Sequence, residues 1–185
     1  QPEKRQLRYA TDESVALFLC SLNSVLCPEK SKFITSYLPL VGAANKYISR
    51  YAIKIFLDLE HKVVPVEELC QSLAQTFRNS DAEPSLLSLK LIERLISQSD
   101  KTADKKKELV TLALIEAFSS KSKAVHNQAL ELLSKHQLLE TESARAKLLK
   151  NLDLLQGTNR STASKLLASA STQITASLPN DKKLP

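Results

Sequence analysis

The sequence predicts an all-α fold, a right-handed α-solenoid of about four antiparallel helical pairs behind an N-terminal helix. Three observations lead there. First, a five-residue phrase recurs four times inside amphipathic stretches: Ala52-Ile53-Lys54-Ile55-Phe56, Ser88-Leu89-Lys90-Leu91-Ile92, Ala129-Leu130-Glu131-Leu132-Leu133 and Ala163-Ser164-Lys165-Leu166-Leu167. A small residue opens it, a charge sits third and two large apolar residues close it. Its starts lie 36, 41 and 34 residues apart, a period that belongs to stacked helical pairs. Second, Gly occurs twice and aromatics make up 5% of 185 residues, whereas a sandwich or barrel needs many Gly-containing turns. Third, the turns at Arg78–Glu83, Ser119–Ser122 and Gly157–Arg160 are short and polar, which forces antiparallel neighbours.

The elements follow in order. A helix is expected from about Asp12 to Leu26, capped by Thr11, with Asp12 and Glu13 at the positive end of its dipole. Pro28 suits the first position of a second helix carrying Phe33, Ile34, Tyr37 and Leu38, ended or bent by Pro39 and Gly42. A third spans about Ala43 to Leu59, with Ile48, Tyr51, Ala52, Ile55, Phe56 and Leu59 on one face at helical period. Pro65 opens a fourth, with Val66, Leu69, Cys70, Leu73, Ala74 and Phe77 repeating that spacing. Pro84 starts a fifth that runs through Ile96. Thr102 caps a sixth through Phe118, and its Leu109 to Ile115 segment is apolar nearly all round, as an inner helix covered on both sides would be. A seventh runs from Ser122 to His136. Thr141 caps an eighth that Gly157 is expected to close in the left-handed conformation. A ninth covers about Ser161 to Ile174. Residues 1–176 thus form one helical-repeat domain and 177–185 a tail. The phrase predicts Ile55, Phe56, Leu91, Ile92, Leu132, Leu133, Leu166 and Leu167 to be buried.

A chain of this length buries roughly 70% of its unfolded surface, so it needs no disulfide or metal staple. The opening Gln1 and the absence of Met point to a piece of a longer protein. Cys20, Cys27 and Cys70 are odd in number and lack a CxxC pair, which suits buried thiols in an intracellular compartment, cytoplasmic or nuclear. No apolar run reaches the ~18 residues a membrane helix needs. The net charge is +6, distributed as +2 over 1–60, −1 over 61–120 and +5 over 121–185. Such a bias suits solubility, and more specifically an acidic partner.

Residues 119–125, Ser-Ser-Lys-Ser-Lys-Ala-Val, followed by Ala129-Leu130-Glu131-Leu132-Leu133, resemble the turn and second helix of a HEAT or armadillo-type repeat. The resemblance covers about 43–170. It departs from the family in its turns: the aspartate occurs only as Asp81, and an Arg follows only at Arg50 and Arg160, in different registers. The resemblance implies a curved binding surface lined by the second helix of each pair.

Catalytic patterns are weak. His61, His126 and His136 form no HxxxH set, so no metal site is expected. His136 reads as a helix-end residue and His126 as a solvated one. Gly42 and Gly157 alone cannot build a phosphate-binding glycine loop. Glu67 and Glu68 suit a helix start better than acid–base work. No catalytic, cofactor-binding or metal-ligating residue is assigned, and no cofactor.

The candidate partner and anion-binding residues are Lys46, Arg50, Lys121, Lys123 and Arg160, which precede the phrases and fall near turns and second-helix starts. Helix N-termini with added cations bind anions, although solvated turn lysine is the plainer reading. The expected function is non-catalytic: a scaffold or adaptor segment that binds a partner protein, with an acidic or phosphorylated segment as the sharper form. The alternative is a nucleic-acid or acidic-lipid module using the basic C-terminal end. It is weakened because Tyr9, Tyr37, Tyr47 and Tyr51 lie far along the sequence from that charge and there is no Trp. A HEAT-like DNA glycosylase, the third class, lacks a plausible catalytic carboxylate in a basic cleft.

Overall fold

Among the described residues, Asn45 begins the first complete helix by accepting hydrogen bonds from the backbone N–H groups of Tyr47 (3.0 Å) and Ile48 (3.3 Å) through its side-chain oxygen, as an N-cap does. The computed structural model describes residues 37–58, 66–79, 81–97 and 104–176. The expected helix at Asp12–Leu26, the start of the one opened by Pro28, and Cys20, Cys27, Leu59, His61, Pro65, Thr102 and the tail lie outside the described residues.

A helical turn at 37–41 precedes α1 (Lys46–Asp58), α2 (Val66–Arg78), α3 (Ala82–Ser97) and α4 (Asp104–Ile115). After α4 a 3-10 helix covers Glu116–Ser119. Then come α5 (Lys123–Lys135), α6 (Glu142–Asn151), a 3-10 turn at Leu152–Leu154 and α7 (Gly157–Ala176). No strand occurs among the described residues.

The helices pack on the neighbour two places along the chain. One row is α1 on α3, α3 on α5 and α5 on α7; the other is α2 on α4 and α4 on α6. Ion pairs show how the rows are aligned. Arg50 of α1 meets Glu83 at the start of α3 (3.1 Å), and Lys135 at the end of α5 meets Glu93 in the last half of α3 (2.8 Å). In the other row, Arg78 of α2 (3.0 Å) and Lys147 of α6 (2.8 Å) converge on Glu116 just after α4. Lys107 near the start of α4 reaches Glu140 ahead of α6 (2.9 Å), and Ser143 donates to Glu108 beside it. Like ends therefore lie together through α1, α3 and α5 in one row and through α2, α4 and α6 in the other.

The recurring phrase maps onto the first row. Its small opening residues, Ala52, Ser88, Ala129 and Ala163, are all buried, where a larger side chain would hold the helices apart. Its charges, Lys54, Lys90, Glu131 and Lys165, are all exposed. Of the closing pairs, Phe56, Leu91, Ile92, Leu132 and Leu133 are buried, while Ile55, Leu166 and Leu167 are half-buried against the core. α7 is the last described member of its row; among the described residues it packs on α5 and α6, and its Thr158, Ser161, Thr162, Ser164, Ser169 and Ser171 are exposed.

The structure departs from expectation at three places. In α1 the buried centre is Ser49, Ala52, Ile53 and Phe56, with Ile48, Tyr51 and Ile55 half-buried. Ser49 is turned inward because its Oγ donates to the Val41 carbonyl (2.6 Å); Thr76 donates to the same oxygen (2.8 Å) and Asn79 to the Gly42 carbonyl (2.7 Å). These three bonds satisfy carbonyls that a helix end leaves open. Gly42 is needed there for close approach, since a Cβ would lie 3.0 Å from Gln75 Cβ and 3.1 Å from the Ser72 carbonyl oxygen. Pro84 stands third in α3, still within the first turn whose N–H groups lack intrahelical partners.

The third departure is at Gly157. It takes the left-handed conformation (φ 55°) but opens α7; α6 is closed instead by the 3-10 turn, after which Leu155 turns inward at 2% exposure. α5 ends in the same backbone conformation without glycine: Gln137 has φ 49°. The Leu138 N–H bonds the Leu133 carbonyl (3.1 Å) and the Gln137 N–H the Ser134 carbonyl (3.3 Å), the two bonds of a Schellman motif.

Candidate partner-binding surface

The five candidate residues fall at the N-terminal ends of first-row helices. Lys46 and Arg50 occupy the first two turns of α1, Lys121 the turn before α5, Lys123 the first position of α5, and Arg160 the first turn of α7. They form three separate groups rather than one pocket. α1 and α5 are two helix spacings apart, roughly 20 Å at 8–10 Å per step.

Their charges are not equally available. Arg50 pairs with Glu83, its side chain only 19% exposed, and Arg160 pairs with Asp153 (3.0 Å). Among the described residues no ion pair reaches Lys46, Lys121 or Lys123. Lys121 and Lys123 are exposed.

A feature that sequence reasoning missed lies on α1. Lys46 Nζ sits 5.3 Å from the Tyr47 ring centre, Arg50 lies 5.7 Å from Tyr47 and 5.5 Å from Tyr51, and Lys54 lies 5.7 Å from Tyr51. These are cation–π distances. Tyr47 and Tyr51, remote in sequence from the basic C-terminal end, are thus interleaved with the cations of their own helix. The signal was in the sequence, since residues 46, 47, 50, 51 and 54 share one helical stripe.

His126 also differs from expectation. It is buried at 8% exposure, and its Nε2 donates to the Ser120 carbonyl (2.6 Å) while its ring meets Phe118 edge-on. Because a carbonyl only accepts, Nε2 carries the proton. Ser122 stands at the α5 N-cap position but its side chain makes no capping bond, so His126 organises that turn. Thr141 caps α6 as expected, accepting from the Ala144 N–H (3.3 Å). His136 is the C-terminal cap of α5.

Two grooves open between stacked helices. One of about 480 Å³ lies on the first row between α5 and α7, lined by Leu130, Glu131, Lys135, Asn159 and Thr162 among others. The other, about 310 Å³, lies between α2 and α4, with Cys70, Leu109 and Leu112 on its walls and Glu67, Arg78, Glu116 and Lys147 around it. Burial, with Glu67 nearby, pushes the Cys70 thiol up to about 12. Burial also pushes the Glu116 carboxyl up, but hydrogen bonds from Lys147 and Arg78, and their charges, outweigh it and hold it below the ordinary carboxylate value. Lys135 is held above its ordinary value by its hydrogen bond to Glu93. Among the described residues no three His, Cys, Asp or Glu side chains gather as a metal site would require, and no helix is long and apolar enough to cross a membrane.

Comparison with protein-family models, with curated proteins and with solved structures found no match.

Proposed function

We propose that this chain is a non-catalytic helical-repeat scaffold, a right-handed α-solenoid of antiparallel pairs similar to HEAT repeats, that binds a partner protein along its first row. The observation that supports this reading is the row itself. α1, α3 and α5 stack with like ends together, α7 packs on α5, and the phrase that buries the small residues presents a charge outward at each step. A row built that way has a long ordered face and no need of a pocket. Solenoid arrays use such faces for binding.

The test is site-specific photo-cross-linking in the native host. A benzophenone amino acid is placed singly at Lys54, Lys90 and Lys165 on the first row, and at Lys105 and Lys150 on the second. The scaffold reading expects one discrete adduct shared by the first-row positions and absent from the second. Equal, diffuse labelling of both rows, or no adduct from either, would overturn it.

A further inference from the structure

The two rows differ in charge. The first-row helices carry nine Lys and Arg against four Asp and Glu, a net +5; the second row, with the 3-10 helix at Glu116–Ser119, carries seven against six, a net +1. Local pairing selects among the first-row cations. Arg50, Lys135 and Arg160 are engaged by Glu83, Glu93 and Asp153. Lys46, Lys54 and Lys90 make no ion pair among the described residues, and Lys54 and Lys90 are exposed. These three cluster at the α1–α3 end of the row. Lys54 and Lys90 hold the same place in the phrase, so they project from adjacent helices about 8–10 Å apart. Lys46 lies eight residues before Lys54, about 12 Å along α1 at 1.5 Å per residue.

We infer that this end of the first row docks an extended, carboxylate-rich polypeptide segment through Lys46, Lys54 and Lys90. The inference rests on the scaffold reading and adds the chemistry of its partner. Each ammonium offers three donors and no acceptor, which matches carboxylates. An extended chain advances about 3.3 Å per residue with side chains alternating in direction, so carboxylates two to four residues apart on one face, about 7–13 Å, span the separations among these lysines along α1 and across to α3. The aromatic rings separate this partner from a nucleic acid. Base stacking needs open ring faces, but the Tyr47 and Tyr51 rings already lie against Lys46, Arg50 and Lys54 at 5.3–5.7 Å. Those contacts hold the cations in place on the helix surface, so less side-chain freedom is lost when a carboxylate arrives.

The experiment is fluorescence anisotropy with a labelled oligoglutamate peptide, competed by unlabelled oligothymidylate, at low and physiological salt. Three proteins are compared: wild type, Lys46→Glu/Lys54→Glu/Lys90→Glu, and the charge-matched second-row control Lys105→Glu/Lys106→Glu/Lys150→Glu. Circular dichroism first confirms that both variants retain the wild-type melting temperature within a few degrees; a variant that does not is replaced by its Lys→Gln counterpart. The expected result is salt-sensitive binding by wild type, weakened at least about tenfold by the first-row triple and less than about threefold by the control. Equal loss in both triples would reduce the effect to net charge and overturn the inference. So would absence of oligoglutamate binding, or displacement by oligothymidylate at lower concentration than by oligoglutamate. If oligoglutamate fails while the first-row cross-link persists, the acidic partner falls and the scaffold stands. If the cross-link also fails, both fall.

Discussion

Truncating Leu132 to Ala probes the packing on which the repeat depends. Leu132 closes the third phrase, is 3% exposed, and sits on α5, which packs on both α3 and α7. The change removes three carbons, about 2.4 kcal/mol at ~0.8 kcal/mol per buried methylene. A residual void of roughly 40 Å³ adds about 1 kcal/mol at about 24 cal/mol per Å³. The expected loss is therefore about 3–4 kcal/mol. Urea unfolding followed at 222 nm reads it directly: with a slope of about 2 kcal/mol per molar, the midpoint falls by about 1.5–2 M. The matched control is Leu149→Ala on α6, where Leu149 is 62% exposed, and a change within about 0.5 kcal/mol is expected. A loss below about 1 kcal/mol for Leu132→Ala, or a larger loss for Leu149→Ala, would refute the packing described here.

Three further outcomes follow from local geometry. Gln137→Gly should raise stability by a few tenths to about 1 kcal/mol, because glycine relieves the left-handed conformation at the end of α5; the urea midpoint checks it, and a fall would mean that the Gln side chain supplies more than the backbone strain costs. Glu116 titrates below its ordinary value in the folded state, so the stability it contributes is fully present above the unfolded value near 4.5 and is lost as pH falls through the folded one. Melting curves between pH 6 and 3, all about one unit apart, should show a shallower acid decline for Glu116→Gln than for wild type; equal slopes would show that the Arg78 and Lys147 contacts carry no net linkage. Cys70, buried and with its thiol pushed up to about 12, should react with iodoacetamide at pH 8 far more slowly in the native protein than in urea, measured in a Cys20→Ser/Cys27→Ser background; equal rates would contradict its burial.

Much of the fold was legible because the helices announce themselves by period. The small–x–charge–apolar–apolar phrase gave the stacking row, and Thr141 and the acidic first turn of α2 gave helix starts where capping chemistry is local. What escaped is non-local or polar. Ser49 and Thr76 look like surface residues until the Val41 carbonyl is brought beside them from another helix. His126 looks solvated until its own preceding turn folds back to offer Ser120. Gly157 misleads because the left-handed conformation identifies a chain reversal without saying on which side of it the next helix begins, and Gln137 takes the same conformation with no glycine to mark it. The placement of Lys46, Lys121 and Lys123 at or just before helix starts was legible from their turns. Nothing in the local pattern indicated that Arg50 and Arg160 would be engaged by Glu83 and Asp153, whereas the stripe of Lys46, Tyr47, Arg50, Tyr51 and Lys54 was readable from its helical spacing.

The central claim is that alternate helices form an open row, each step adding one helix spacing. Distances between paired spin labels test it most directly, in a background with Cys20, Cys27 and Cys70 replaced by Ala. Labels are attached at Lys54→Cys with Glu131→Cys, and at Lys54→Cys with Lys165→Cys, the equivalent phrase positions on α1, α5 and α7. At about 8–10 Å per step, the first pair should lie near about 20 Å and the second near about 30 Å before allowance for the label tethers. A 54–165 distance equal to or shorter than the 54–131 distance would mean that the helices close on one shared core, and the open-row account would be wrong.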